Sequence, residues 1–232
     1  SIAKKITSQE SDVKVSNIYV PEFASDLIEE INFAARRSEY VDFKSGVSAR
    51  MSITAFENLI STAKRRMLIN GEKESFVRLS DFTGIIPAIN GKIELVYEGE
   101  EQGADQISFN LINDGVKTIF LKFFPEISKL QKPNEVTPYD GILSWFIENN
   151  NELFIGDEFT DKEYKNTLDG VKPVDILIKK YCKNINNKDI YFMKEVLLWG
   201  LSTFKKLTKN RMQDGIEFKD SLGTYLNNLN SE

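Results

Sequence analysis

"SGVSARMSITAFENLISTAKRRMLINGE", residues 45–72, is the stretch from which the fold can be read. Ile53, Phe56, Leu59, Ile60, Ala63 and Met67 recur at three-and-four spacing, the period that lines one face of an α-helix with apolar side chains. Ser48 is a natural N-cap, since a hydroxyl there accepts from backbone N–H groups two or three residues on. Gly71 marks the C-terminal stop. Arg50 falls in the first turn, where the unpaired N–H groups already make a partial positive charge. A helix start ordinarily favours an acid or a bound anion, so this cation is the one feature of the stretch that helix formation does not explain. On spacing alone Arg50 reads as a surface arginine at a helix end.

Helical periodicity extends to both sides. "PEFASDLIEEINFAARRSEY" opens with Pro21 in a first-turn position and repeats Phe23, Leu27, Ile31 and Ala34 on one face. In "LSDFTGIIPAINGKIELVYEG", Ser80 can cap a short helix that Pro87 interrupts. Ile93, Leu95 and Tyr97 fit either a strand or a helix, with helix favoured. "YEGEEQGAD" reads as an acidic loop before a helix carrying Ile107, Leu111, Ile119 and Phe123, which ends before Pro125. Residues 128–138, polar with two prolines, read as a linker. Beyond it, Thr137 and Pro138 start "YDGILSWFIEN", Thr160 and Glu163 form a capping box, and Pro173 begins "VDILIKKYC". The longest run, "DIYFMKEVLLWGLSTFKKL", carries Met193, Val196, Leu197, Leu201, Phe204 and Leu207, and a last short helix contains Phe218, Leu222 and Leu226. The expected fold is all-α: one helical bundle over 1–130 and a second over 131–232, with almost no sheet.

Composition excludes more chemistry than it suggests. The chain has 232 residues, 41% hydrophobic and 28% charged, as a globular protein does. It contains no histidine and one cysteine, Cys182, so it holds no Ser-His-Asp triad, no Cys-His dyad and no imidazole-ligated or thiolate zinc site. The lone cysteine suits a reducing compartment, and its place in an apolar-periodic stretch reads as a small buried hydrophobe. A net charge of −5 argues against a nucleic-acid binder. No apolar run reaches membrane-spanning length and no signal-peptide pattern opens the chain, which points to the cytoplasm. The first residue is Ser1, which fits a piece of a longer polypeptide.

No G-x-x-x-x-G-K-[ST] loop occurs; the only Gly-Lys pair, Gly91 and Lys92, is followed by Ile93 where a hydroxyl is needed. Glu98, Glu100, Glu101 and Asp105 lack the order of a calcium loop and read as solvated surface, as do Glu152, Asp157, Glu158 and Asp161. The cationic run "KKLTKNR", residues 205–211, reads as the close of the longest helix, where positive charge complements the dipole.

Residues 18–100 nevertheless carry a specific pattern. "SGVSAR" leading into a helix resembles the sensor-2 motif of AAA+ ATPases in the magnesium-chelatase subunit I and MoxR-related branch. "VPEFASDLIEEINFAARRSEYVD" is similar to the first helix of their lid, and the stretch through "GKIELVYEGE" continues the likeness. The resemblance implies a helical lid covering nucleotide bound on an α/β core, with Arg50 reaching the γ-phosphate and Ser48 capping its helix. It implies ATP and Mg²⁺ in the full-length protein and none in this stretch, which has no phosphate loop. As partners it implies other subunits of an AAA+ ring and a protein with an integrin-like metal-binding domain. The competing reading is a free-standing helical adaptor that binds protein and no nucleotide. One guanidinium supplies only part of a phosphate site. The chain by itself is therefore expected to turn over no ATP, and turnover that persists after contaminating ATPases are excluded would reveal a second site.

Overall fold

The computed structural model describes residues 17–42, 47, 49–127, 136–148 and 151–221. About 63% of these are helical. The chain divides into two compact units, Ser1–Ile119 and Phe120–Glu232. Most of the stretch read as a linker, 128–135, lies outside the described residues.

The first unit runs β1 (Ile18–Tyr19), α1 (Glu22–Arg37), α2 (Ala49–Ile69), β2 (Ser75–Phe76), a 3-10 turn (Ser80–Ile85), α3 (Ile86–Asn90), α4 (Tyr97–Gln102) and α5 (Ala104–Phe123). Pro21 sits at the N-cap of α1, its fixed φ near −57° setting the chain for helical entry. Leu27, Ile31 and Ala34 are buried on the face their spacing predicts, while Phe23 is only half-buried. Along α2, Phe56, Leu59, Ile60, Ala63 and Met67 are buried. The helix stops at Gly71, whose φ of +64° only glycine adopts cheaply. Gly71 N–H donates to Leu68 O at 3.2 Å and Glu72 N–H to Met67 O at 3.0 Å, the paired bonds of a Schellman close.

The last turn before that close carries the buried side chain that ties the following segments to α2. Arg66 is 2% exposed, and its guanidinium donates to Asp81 through Nε (3.3 Å) and Nη2 (2.9 Å). It also donates to Ser75 Oγ (2.9 Å) and to Phe76 O (2.8 Å), so it holds β2 and the 3-10 turn against α2. Asp81 accepts Arg78 N–H at 2.8 Å as well. In turn β2 pairs in parallel with β1, Ile18 opposite Ser75 and Tyr19 opposite Phe76.

The second unit contains α6 (Asp140–Ile147), β3 (Leu153–Gly156), α7 (Asp161–Asp169), α8 (Lys172–Tyr181), a 3-10 turn (Asn187–Asp189), α9 (Ile190–Thr203), β4 (Leu207–Arg211) and β5 (Gly215–Asp220). α9 is its centre: every residue from Phe192 to Leu201 is buried. Such all-round burial belongs to a core helix, not an amphipathic surface one. The Thr160–Glu163 box caps α7, Glu163 N–H donating to Thr160 Oγ1 and Thr160 N–H to Glu163 Oε2. The strands form an antiparallel sheet in the order β3-β5-β4.

Five expectations are corrected. The fold is mostly helical but carries two small sheets, one of two strands and one of three, so all-α holds only approximately. Residues 93–96 are not helical: Asp42 N–H donates to Glu94 O and Val96 N–H to Tyr40 O, which keeps them extended beside residues 40–42. The acidic stretch after them is the short helix α4, with Glu98 and Glu100 in its first turn, where negative charge suits the dipole. The helix of the long apolar run, α9, ends at Thr203, and the chain reverses through Lys205 at φ +58°, with Lys205 N–H bonded to Ser202 O and Lys206 N–H to Leu201 O. Leu207 and the cationic run therefore lie at or on β4, and Phe218 is on β5 with its side chain buried beside that of Ile216 on the same pleat face. Leu222 and Leu226 lie outside the described residues.

Removing one partner of a buried ion pair leaves the other charge uncompensated, at a cost of about 3–5 kcal/mol. Arg66→Met is expected to destabilise the first unit by that order in urea unfolding. Asp81→Leu added to it should recover part of the loss, because no isolated carboxylate then remains in the core.

Candidate functional site

Arg50 is the second residue of α2 and is exposed, while Met51 and Ser52 beside it are sealed at 0% and 2%. About 100° separates successive residues on a helix, so burying Met51 and Ser52 turns Arg50 outward. Two contacts from α1 fix that rotation. Asn32 Nδ2 donates to Ser52 Oγ at 2.6 Å inside the α1–α2 interface, and both residues are buried. One turn further along α1, Arg36 Nη2 reaches Val47 O at 3.4 Å, just before α2 begins. No acid stands in the first turn of α2. An exposed guanidinium at a helix start without acidic neighbours in that turn is suited to an anion, which both the fork and the backbone N–H groups attract.

Ser48, expected as the cap, lies outside the described residues, as does Gly46. Asn32, Arg36 and Ser52 were not singled out in the sequence. For Asn32 the signal was a polar residue at a helical position that the 3.6 period marks as buried: it follows Ile31 and precedes Ala34 and Ala35 on the buried face, whereas the exposed Arg36 gave no such signal.

Other reactive groups are held differently. Cys182 is buried, and burial pushes its thiol up to about 11, so it stays protonated and unreactive at neutral pH. Among the described residues no three His, Cys, Asp or Glu side chains converge to hold a metal. In the second unit, Lys194 of α9 bonds Asp169 and Asp175, and Tyr191 OH donates to Asp169 at 3.0 Å. The neighbouring Glu195 is fully buried and accepts from Tyr164 OH at 2.8 Å. Lys209 of β4 places its ammonium 3.7 Å from the centroid of the Trp199 ring; desolvation pulls its pKa well below the ordinary lysine value, with Glu195 opposing. Among the described residues, no helix is long and apolar enough to cross a membrane.

Compared with family models, curated proteins and solved structures, the chain matches none.

The Lys194 network dictates a pH profile. Burial opposes charge on both partners, but for Asp169 the Lys194 and Tyr191 hydrogen bonds and the charges of Lys194 and Lys172 together outweigh it, and its pKa falls below the ordinary 3.8. For Lys194 the Asp169 and Asp175 bonds outweigh desolvation and raise its pKa above 10.5. A lowered acid contributes stability that is lost as pH falls through its folded value; a raised lysine contributes stability lost as pH rises through its own. Urea midpoints measured from about pH 3 to about pH 11 should therefore plateau between these limits. Lys194→Met should remove the network's share of the alkaline decline and move the acid-side decline upward, since Asp169 loses what held its pKa down.

Proposed function

We propose that the first unit is the helical lid of an AAA+ ATPase of the magnesium-chelatase subunit I and MoxR-related branch, with Arg50 as its sensor-2 arginine. The observation that carries this reading is the placement of Arg50: exposed, in the first turn of α2, with no acid in that turn. The likeness of residues 18–100 to such lids supplies the identity of the anion, the γ-phosphate of ATP. Phosphoryl transfer spreads negative charge over the transferred group, and a planar fork held in place stabilises that charge without reorganising.

What this chain contributes follows from its own residues. Arg50 bridges phosphate oxygens, and the first N–H groups of α2 add their partial charge. Asn32 and Arg36 keep α2 from turning about its axis. Mg²⁺ and the adenine-nucleotide phosphates belong, in this reading, to an α/β core of the full-length protein. Contact with the triphosphate and its loss after hydrolysis would move the lid with nucleotide state. The second unit serves contacts with ring neighbours or with a partner bearing an integrin-like metal-binding domain, and the assembly works in the cytoplasm.

The test is Arg50→Ala in the ATPase polypeptide that carries this lid. Turnover should fall about ten- to a thousand-fold, the range for losing one charge-stabilising donor, while the thermal unfolding of the lid stays within about 0.5 kcal/mol of wild type. Arg50→Lys should restore little, because an ammonium keeps the charge and loses the fork. Unchanged turnover with a destabilised lid would make Arg50 a structural tether and favour the free-standing adaptor.

A further inference from the structure

Two short surfaces carry the same residue pattern with opposite charge. On α8, Ile176 is 65% exposed and is followed at three and four residues by Lys179 and Lys180, with Lys172 one turn before and Lys183 just past the helix end. On α4, Tyr97 is 71% exposed and is followed at three and four residues by Glu100 and Glu101, with Glu98 between. Residues at i, i+3 and i+4 share a helix face, so each helix presents an apolar side chain flanked by like charges. Among the described residues none of these lysines or glutamates is in an ion pair. The acid of α8, Asp175, is taken up by Lys194. Lys180 stands 5.1 Å from the Tyr181 ring centroid and remains exposed.

The acidic surface is rigidly mounted. A Cβ on Gly99 would come within 2.6 Å of Tyr40 O, so only glycine lets α4 lie this close to the backbone, with Tyr97, Glu100 and Glu101 facing away. Preorganised surfaces lose little entropy on docking.

We propose that the lysine face of α8 docks the glutamate face of α4 on a second copy of this chain. Ile176 and Tyr97 form the dry centre and Lys179, Lys180, Glu100 and Glu101 its charged rim. Exposed apolar residues ringed by uncompensated charge are costly to leave in pairs of like sign, so two α8 faces repel, and so do two α4 faces. Only the unlike pairing satisfies both. Reciprocated between two copies, this pairing closes a two-fold dimer; unreciprocated, it continues to further copies. The proposal stands on these two surfaces and does not depend on the nucleotide reading of Arg50.

Sedimentation velocity on this chain, with Lys179→Glu/Lys180→Glu and Glu100→Lys/Glu101→Lys variants, tests it. The wild type should associate with rising concentration, and association should weaken about tenfold or more between roughly 50 mM and 500 mM salt. Each double variant alone should be monomeric, because both of its faces then carry one sign. Mixed together, the two variants should associate again, and the oligomers should contain both. Circular dichroism should show each variant folded; should either not fold, Ile176→Asp and Tyr97→Asp replace them and must each abolish association. A wild-type chain that stays monomeric at low salt overturns the proposal, as does a mixture of variants that fails to associate. Binding of the lysine face to anionic vesicles or duplex oligonucleotide, with no self-association, overturns it equally.

Discussion

The Arg66 guanidinium, sealed between the end of α2 and the two segments that follow it, closes the first unit on itself. Strands of two residues have no independent stability, and β2 keeps its place because Arg66 bonds Ser75 Oγ and Phe76 O. β1 hangs on β2 through Ser75 N–H to Asn17 O and Val77 N–H to Tyr19 O, both at 2.9 Å. That pairing fixes where the chain enters α1, and α1 returns to the start of α2 through Asn32 and Arg36. The two ends of α2 are thus tied by one path that begins and ends on the same helix. A buried ion pair is a poor source of net stability, since desolvation consumes most of its attraction. Its value here is directional: five donor–acceptor contacts around Arg66 and Asp81 admit one arrangement of the turn.

The second unit solves the same problem around a central helix. Lys194 and Glu195 are adjacent, buried and opposite in charge, and they take partners from different neighbours: Lys194 from Asp169 and Asp175, Glu195 from Tyr164. An apolar α9 would pack equally well at many rotations, because it is hydrophobic nearly all round. Two charges about 100° apart, each with its own partners, select one. Lys209 over Trp199 then brings the sheet into the same arrangement.

These polar contacts mark the boundary of what the sequence discloses. Amphipathic periodicity disclosed α1, α2 and α5, and local side-chain chemistry disclosed ends such as Gly71 and the Thr160–Glu163 box, because such signals lie within four residues of what they determine. The three-stranded sheet depends on register between Leu153 and Phe218, 65 positions apart in numbering, which no local pattern encodes. The end of α9 was illegible for another reason: its left-handed residue is Lys205, not the glycine that usually announces such a turn. Arg50 at a helix start was legible as an electrostatic anomaly. The residues that aim it were not, since Asn32 and Ser52 meet across 20 positions.

That difference bears on what Arg50 can do. A cation among helix-start dipoles is locally unfavourable by about 0.3–1 kcal/mol, a small cost against the burial that sets the rotation of α2. Met51 and Ser52 must face inward, so Arg50 must face outward, whatever the local electrostatics prefer. Because both ends of α2 are anchored, the direction of the arginine is settled when the unit folds. An anion arriving there meets a guanidinium whose backbone does not have to be ordered on binding, and less of the attraction is lost to entropy. The same reasoning applies to α4, where Gly99 fixes the helix against the Tyr40 backbone before any partner approaches: in both places the fold meets the ordering cost of the backbone in advance of binding.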